Sequence, residues 1–564
     1  MSEIGSSGSF VESGNRVLLV GGASGIDTGA LVEAAVNQRL REANTIDVKI
    51  AENDLRSTAY STLQNLGSEL QSSLTALRAA FGFSSTDGAI FDARAGTLTS
   101  NNSVDPSSLV NVTIDENAQV GTNSLVIRRT AREEINASDR YADPNAALNL
   151  NGDFRLRLAG LDNVDVNIVA SDSLNDVASK INAVAEQTGV SASVIQVTET
   201  RFELVVRGTE TGLNMQNTVG AGDNILQSLG IIDGGGAYQN QVQNDRNALI
   251  DFNGVRISRD SNTIEDLVPG VDIDIVGQDT GTTLTLDIGN DNAGVKAAIE
   301  GFVESYNAFR EFVIQNNQVA ADGTVSDDSP LFNDSLMDGL DRNVQALFGR
   351  TYSGSSDFGS LAELGITLNA ANQLEVESSV LDDAIINNLE GLRGVFQTQY
   401  SDDNDEFNIL RNDSTLGDLS FTLDIVHGGS TIISASVGGD ATLFDIDGNT
   451  ITGREGTIYD GLSFVYAGNT GTSINIDLRQ GFADLGVNTL EGYVNSASGL
   501  IQQEKLAIDD QNEDLTTRAD RVRERAEAYR ESLIQQYASF EAQLNRANAV
   551  LDQIRAILGT NDDE

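Results

Sequence analysis

Apolar residues recur with a seven-residue period over the last sixty or so positions of the chain. One series runs Ile501, Ile508, Leu515, Val522 and Tyr529, passes through Gln536 and Gln543, and resumes at Val550 and Ile557. The second runs Ala519, Ala526, Leu533, Phe540, Ala547 and Ile554. Charges fill the intervals, among them Arg518, Arg521, Arg523, Glu524 and Arg525. Two apolar positions per heptad with charged flanks predict a long helix with a seam for a partner helix. Tyr537, Leu544, Leu551 and Leu558 widen the apolar face beyond a two-helix seam, so the helix is expected to touch more than one neighbour. Gln536 and Gln543 at seam positions point to a change of register or partner. Near the other end, Leu63, Leu66, Leu70, Leu74, Leu77 and Phe81 follow 3-4-4-3-4 spacing, again a seam.

Between these ends the pattern alternates in blocks. Residues 1–23 are Gly/Ser-rich and expected to be disordered. Asp27 or Thr28 can cap a helix through Leu31, Val32, Ala35, Val36 and Leu40, and a second helix is expected over about 46–81, with Gly82 as its stop. From about 95 to 290 short alternating runs such as Val110–Ile114, Phe154–Leu158, Val164–Ile168, Phe202–Val206 and Val271–Val276 predict strands between Gly, Asn and Asp turns. One helix interrupts them, with Ser173 as cap and Leu174, Val177, Ile181 and Val184 on one face. Helix returns at 294–316, strands at about 407–479, and final helices from near Gly481. The fold class expected is α+β and multidomain: terminal coiled-coil helices and a helical-layer domain, interrupted by inserted β-rich domains. The expected borders are 24–45 with 530–564 for a terminal helical leg, 46–95 with 290–400 and 481–529 for a helical core, 96–170 with 246–289 for a β-rich domain, 171–245 for an inserted α/β head, and 401–480 for a further β insertion.

Composition narrows the function. The 564 residues carry 84 Asp and Glu against 35 Lys and Arg, a formal charge of −49. Such a surface opposes nucleic-acid and anionic-membrane partners, which require clustered cations. Lysine occurs only at Lys49, Lys180, Lys296 and Lys505, and there is no cysteine or tryptophan. Without Cys there are no disulfides, thiolate metal sites or cysteine nucleophiles. No stretch approaches a membrane span, and Val17–Val20 is too short for a signal-peptide core.

Three chemical motifs tempt and are set aside. Val17-Leu-Leu-Val-Gly-Gly-Ala-Ser-Gly-Ile-Asp27 resembles the Gly-rich turn of dinucleotide-binding dehydrogenases. Asp27 stands where the last glycine belongs, no second strand follows, and the positions four before the lysines are Thr45, Asp176, Asn292 and Ile501, so no Tyr-x-x-x-Lys exists. His427, the single histidine, cannot build a zinc site alone and reads as a turn residue. Asp445-Ile-Asp447-Gly448-Asn449 hints at a calcium loop, but an Asp-Gly hairpin turn explains it better. No catalytic, metal or cofactor residue is therefore expected.

Four stretches together resemble a known family. They are Ser24-Gly-Ile-Asp-Thr28 with Leu31-Val32 and Ser57-Thr-Ala-Tyr60; Ser173–Asn182 with Gly189–Val194; Phe252-Asn-Gly254 with Ser261–Ile264 and Pro269-Gly-Val271; and Gly461–Phe464 with Arg479–Ala483 ahead of the terminal coiled coil. In this order they resemble the bacterial flagellar filament cap, or hook-associated protein 2, family. The chain departs from it at Arg39-Leu-Arg-Glu-Ala43, where the family often has Glu-Xaa-Xaa-Pro, and in the size of the segment 407–479. The resemblance implies a non-enzymatic structural protein, exported by the flagellar type III apparatus with an export chaperone and without a cleaved signal. It implies a ring homo-oligomer at the extracellular flagellum tip that touches flagellin and the hook–filament junction proteins and guides flagellin into place. The assembly face is then expected at Leu63, Leu66, Leu70, Leu74, Leu77, Leu515, Val522, Tyr529, Leu533, Phe540, Leu544, Val550 and Ile554. A tip adhesin or host-surface-binding protein is the alternative, since acidic β modules on helical stalks suit that role as well.

Overall fold

In the computed structural model, the residues described are 9–13, 16–20, 27–81, 89–320, 322–326, 328–352 and 358–558. The chain divides into two units, residues 1–88 with 296–564 and residues 89–295.

Two long helices frame the first unit, Thr28–Thr75 and Leu500–Leu558. The Asp27 carboxylate accepts from the Ala30 N–H at 3.0 Å and so caps the first. This helix runs unbroken through 41–45, where two helices were expected; those positions lack Gly and Pro, and Ala43 and Ile46 are buried against the C-terminal helix. At the expected disordered start, residues 9–13 and 16–20 instead pair as antiparallel strands. The strand 16–20 therefore belongs to a hairpin, not to a βαβ unit. The Gly-rich turn that follows it and the expected stop at Gly82 lie outside the described residues.

The helical core gathers on Phe482, at the start of the helix Phe482–Val494. Its ring lies 5.3 Å from those of Phe302 and Phe348, 5.8 Å from Tyr352 and 6.0 Å from Phe396. Edge-on aromatic packing of this kind joins segments far apart in sequence. Asp484, two residues on, is fully buried and accepts from the amides of Thr398 (2.7 Å) and Ala79 (3.2 Å) and from Arg78 Nε (3.4 Å). Burial raises its proton affinity, and these donors oppose the rise. The carboxylate thus ties the end of the N-terminal helix to the point where the chain leaves for its β insertion. That insertion has two four-stranded antiparallel sheets. One orders Gln399–Asp402, Thr472–Arg479, Leu419–His427 and Ile432–Ser436; the other orders Phe407–Asn412, Leu462–Tyr466, Thr450–Gly453 and Phe444–Asp447. Leu423 and Ile474 from one sheet and Ile451 and Phe464 from the other share a core.

The second unit holds two cores. Strands Arg94–Ser100, Gly121–Arg129, Ala248–Phe252, Val255–Arg259 and Leu284–Asn290 form a five-stranded sheet, and Val110–Ile114, Thr263–Val268 and Val271–Ile275 a three-stranded one; both bury Ile127, Ile250, Ile273 and Leu286. Asn253 (φ 48°) and Gly254 (φ 80°) make the tight turn between two of these strands, because a two-residue hairpin loop of this twist needs positive φ at both positions. The second core packs the helix Leu174–Asn182 against strands Gly152–Leu158, Val166–Ile168, Val190–Thr198 and Arg201–Gly208. Ser173 and Asp176 close a capping box on that helix. Phe154, Leu156, Leu158, Val166 and Ile168 belong to this second core, so the strands expected in the outer β domain (96–170) lie in the inserted module. Its neck is a backbone pair. Arg132 N donates to Arg246 O at 2.8 Å and Arg246 N to Arg132 O at 3.1 Å, which puts the border near 132 rather than 171.

Candidate assembly surface

The 28–75 and 500–558 helices pack antiparallel as a hairpin. Val32, Val36, Ala526 and Ile534 make one buried cluster, and Ala43, Ile46, Ala519 and Val522 the next. Alanine at 43, 519 and 526 lets the helices approach closely. Polar clamps flank the seam. Arg523 reaches both oxygens of Asp47 (2.6 and 2.7 Å), Arg530 reaches Glu33 (3.0 Å), and Asn53 donates to Gln511 and Asn512. The Arg39 guanidinium lies 3.8 Å above the Tyr529 ring. At the base of the hairpin the Tyr60 hydroxyl donates to Asp334 at 2.6 Å, and burial together with that carboxylate pushes the phenol pKa up.

The thirteen residues expected on one assembly face fall into three places. Leu63, Leu70, Leu74 and Leu77 are buried and Leu66 half-buried within the subunit. Their neighbour is the helix Phe482–Val494: a Cβ on Gly67 would stand 2.6 Å from Val494, one on Gly486 2.6 Å from Leu74, and Gln71 bonds Glu491 at 2.7 Å. This leucine seam is core and not an assembly contact, because the partner it requires comes from its own chain. Leu515, Val522, Tyr529 and Leu533 line the intramolecular hairpin. Phe540, Val550 and Ile554 remain 50%, 53% and 44% exposed, and Leu544 is half-buried. The strict heptad fails near Tyr529, where burial passes from Ala526 to Ile534 instead of Leu533. A straight α-helix has 3.6 residues per turn, so a seven-residue series rotates about 20° per heptad off the seam. Ile534, Val32, Val36, Ala43 and Ile46 are the seam residues that the heptad reading omitted. A period of 3.6 applied to both helices would have found them.

His427 ends a strand, and its Nδ1 accepts from the Gly429 N–H at 2.9 Å, a turn role. Gly448 (φ 61°) and Asn449 turn the hairpin at the former calcium candidate. Among the described residues no group of three or more His, Asp or Glu is placed to hold a metal ion.

Comparison with known proteins decides what this architecture is. Residues 246–549 match the family described as flagellar hook-associated protein 2 C-terminus, more than half of the chain, and residues 24–134 match its N-terminus. The chain belongs to the flagellar hook-associated protein 2 family. Residues 153–210, inside the inserted module, match the flagellin hook IN motif. The B-type flagellar hook-associated protein 2 of Pseudomonas aeruginosa is 28% identical over 60% of this chain and 72% of its own length. The Escherichia coli flagellar hook-associated protein 2 is 25% identical over 66% and 78%. Among solved structures, that of the flagellar cap protein FliD D1-D2-D3 domains from Escherichia coli aligns with a TM-score of 0.46 at 24% identity, over 60% of this chain and 90% of that one. As a hook-associated protein 2, the chain is a structural cap of the flagellar filament; the comparisons give the adhesive reading no support.

Proposed function

We propose that the subunit works in a ring at the filament tip, holding the filament end with its helical hairpin and guiding incoming flagellin, whose loss it prevents. The observation that supports this most is the outer end of the C-terminal helix. Every side chain from 545 to 556 is exposed there, Val550, Leu551 and Ile554 included. A helix end with large apolar side chains in water is suited to a partner helix. The filament, built from exported flagellin, is that partner in this reading, and the hook–filament junction proteins are the first surface met. Passage through the flagellar export apparatus with a chaperone, and no cleaved signal, complete the proposal. The test is complementation of cells lacking this chain. The expected result is that full-length protein restores filaments, whereas a chain carrying Val550→Asp and Ile554→Asp is exported but leaves flagellin monomers in the medium. Normal filaments with that variant would overturn the assignment of the helix end.

A further inference from the structure

Three arginines meet at the neck of the inserted module, and no acid pairs with them. Arg132 and Arg246 face each other as a doubly hydrogen-bonded backbone pair, so their side chains leave the same side of the chain. Arg246 lies along the neck: its Nε donates to Thr130 O (3.0 Å), and its Nη2 to Thr130 Oγ1 (3.2 Å) and Gln278 Oε1 (3.1 Å). Arg129 joins them, its Nε donating to Asn247 O at 2.9 Å. Arg132 is exposed, and Arg129 and Arg246 are half-buried. Among the described residues the three have no further hydrogen bond or ion pair. Arg246 Nη1, both terminal nitrogens of Arg129 and the whole guanidinium of Arg132 are therefore available as donors.

The acids close by do not offset this charge. Glu133 pairs with Arg207, and Asp279, next to Gln278, accepts from the Thr282 hydroxyl and the Gly281 amide. Asp245, Glu210 and Asp260 make no ion pair with any of the three. Elsewhere in the same unit Arg128 and Arg256 share Asp251, and Arg259 holds Asp266. With 84 carboxylates to 35 cations in the chain, acids are in ample supply. Three cations are nevertheless gathered here, at a cost, because like charges directly opposite each other repel. Partial burial and the charges of Arg132 and Arg129 hold the Arg246 pKa below its ordinary value. A carboxylate offers its oxygens in one plane and suits one fork; a tetrahedral dianion offers acceptors on several sides and suits forks from several directions. We propose that Arg129, Arg132 and Arg246 bind a doubly charged tetrahedral oxyanion, sulfate or phosphate, that clips the neck together. Its charge offsets the repulsion. It joins the segment that enters the inserted module at 132 to the one that leaves it at 246, so binding steadies the neck. The site lies wholly within the 89–295 unit, and the proposal stands apart from the grip of the helical hairpin on the filament.

Calorimetric titration of the full-length protein with sodium sulfate tests this, at constant ionic strength with chloride making up the balance so that screening stays the same. One saturable sulfate per chain is expected. Arg132→Gln removes a side chain that bonds nothing else in the protein and should weaken binding roughly tenfold or more. Arg132→Lys keeps the charge without the fork and should fall between the two. Arg201→Gln, at an exposed arginine elsewhere in the same unit, should bind as the wild type does. Amide exchange supplies a second readout. Sulfate should slow residues 130–134 and 244–248 in the wild type and not in Arg132→Gln, whereas general stabilisation by excluded sulfate slows exchange throughout both proteins. Two further titrants separate the sources of the oxyanion. A hexose 6-phosphate that binds no better than inorganic phosphate assigns the site to the free ion, and tighter binding assigns it to an ester; both uphold the proposal. Absence of saturable sulfate or phosphate binding overturns it, as does equal binding by Arg132→Gln, or slowing of exchange that is not confined to the neck. Saturable binding of an oligoglutamate peptide in place of either oxyanion would also overturn it, in favour of an acidic protein partner.

Discussion

Truncating both Val36 and Ile534 to alanine isolates the outer cluster of the hairpin. Val36 is 1% exposed and Ile534 6%, and they share their cluster with Val32 and Ala526. Removing buried Ile atoms costs about 3 kcal/mol and removing those of Val about 1.5–2, so the pair costs about 5 kcal/mol. Full burial of Val32, Val36 and Ile534 contributes only about 6 kcal/mol in gross, at roughly 2 for each side chain. Little is left to hold residues 28–40 to 526–541, and helices of that length are marginal alone. The inner cluster of Ala43, Ile46, Ala519 and Val522 shares no residue with the outer one and keeps its Arg523–Asp47 clamp. Hydrogen exchange of the free protein is therefore expected to show amides of 28–40 losing roughly a thousandfold protection or reaching open-chain rates, while amides of 43–57 and 508–522 hold theirs. In cells the variant should be exported and leak flagellin. Two results would refute the reasoning. If the outer amides keep their protection, the seam is not what orders the leg. If the whole hairpin opens together, the two clusters are one cooperative unit.

Other changes test other levels. Asp484→Leu leaves the Thr398 and Ala79 amides without their acceptor and should cost about 3–6 kcal/mol, seen as urea-induced loss of the first unit's exchange protection at lower denaturant with the 89–295 unit unaffected; a shift below 1 kcal/mol would deny its role. Gly67→Leu drives a side chain into Val494 and should destabilise the same core by about 1–3 kcal/mol, measured by the same transition. Asp251 lies between Arg128 and Arg256, whose guanidiniums hold its carboxyl below the usual range. A carboxyl with a depressed folded pKa stabilises fully above its unfolded value and loses that contribution as pH falls through the folded one. The 89–295 unit should therefore weaken in acid below about pH 4, and Asp251→Asn should flatten that limb of its pH–stability curve.

The long helices were legible because a seven-residue apolar rhythm over dozens of residues has few other causes. Their register was less so, since 3.6 and 3.5 residues per turn part company by Tyr529. The leucines at 63–77 announced a seam but not its partner; the helix Phe482–Val494 is apolar nearly all round, and no periodicity says which of its sides faces Leu74. The head border went astray because Phe154–Leu158 alternates just as the outer strands do, and which core a strand joins depends on pairings that its own residues do not encode. Asp484 could not be singled out among so many carboxylates, although its place two residues after a buried phenylalanine, in an apolar helix start, is the signal a denser reading would use.

The neck at Arg132 and Arg246 has a consequence for how such a chain changes over time. Because the polypeptide enters and leaves the inserted module through one pair of facing residues, everything between them is a cassette. Its length and surface can be exchanged by rejoining that pair and the flanking contacts of Thr211 with Asp260 and of Gly212 with Arg132, with no edit to the long helices. Chimaeras spliced at these two arginines are therefore expected to keep the long helices and the outer sheets intact while the inserted core is replaced.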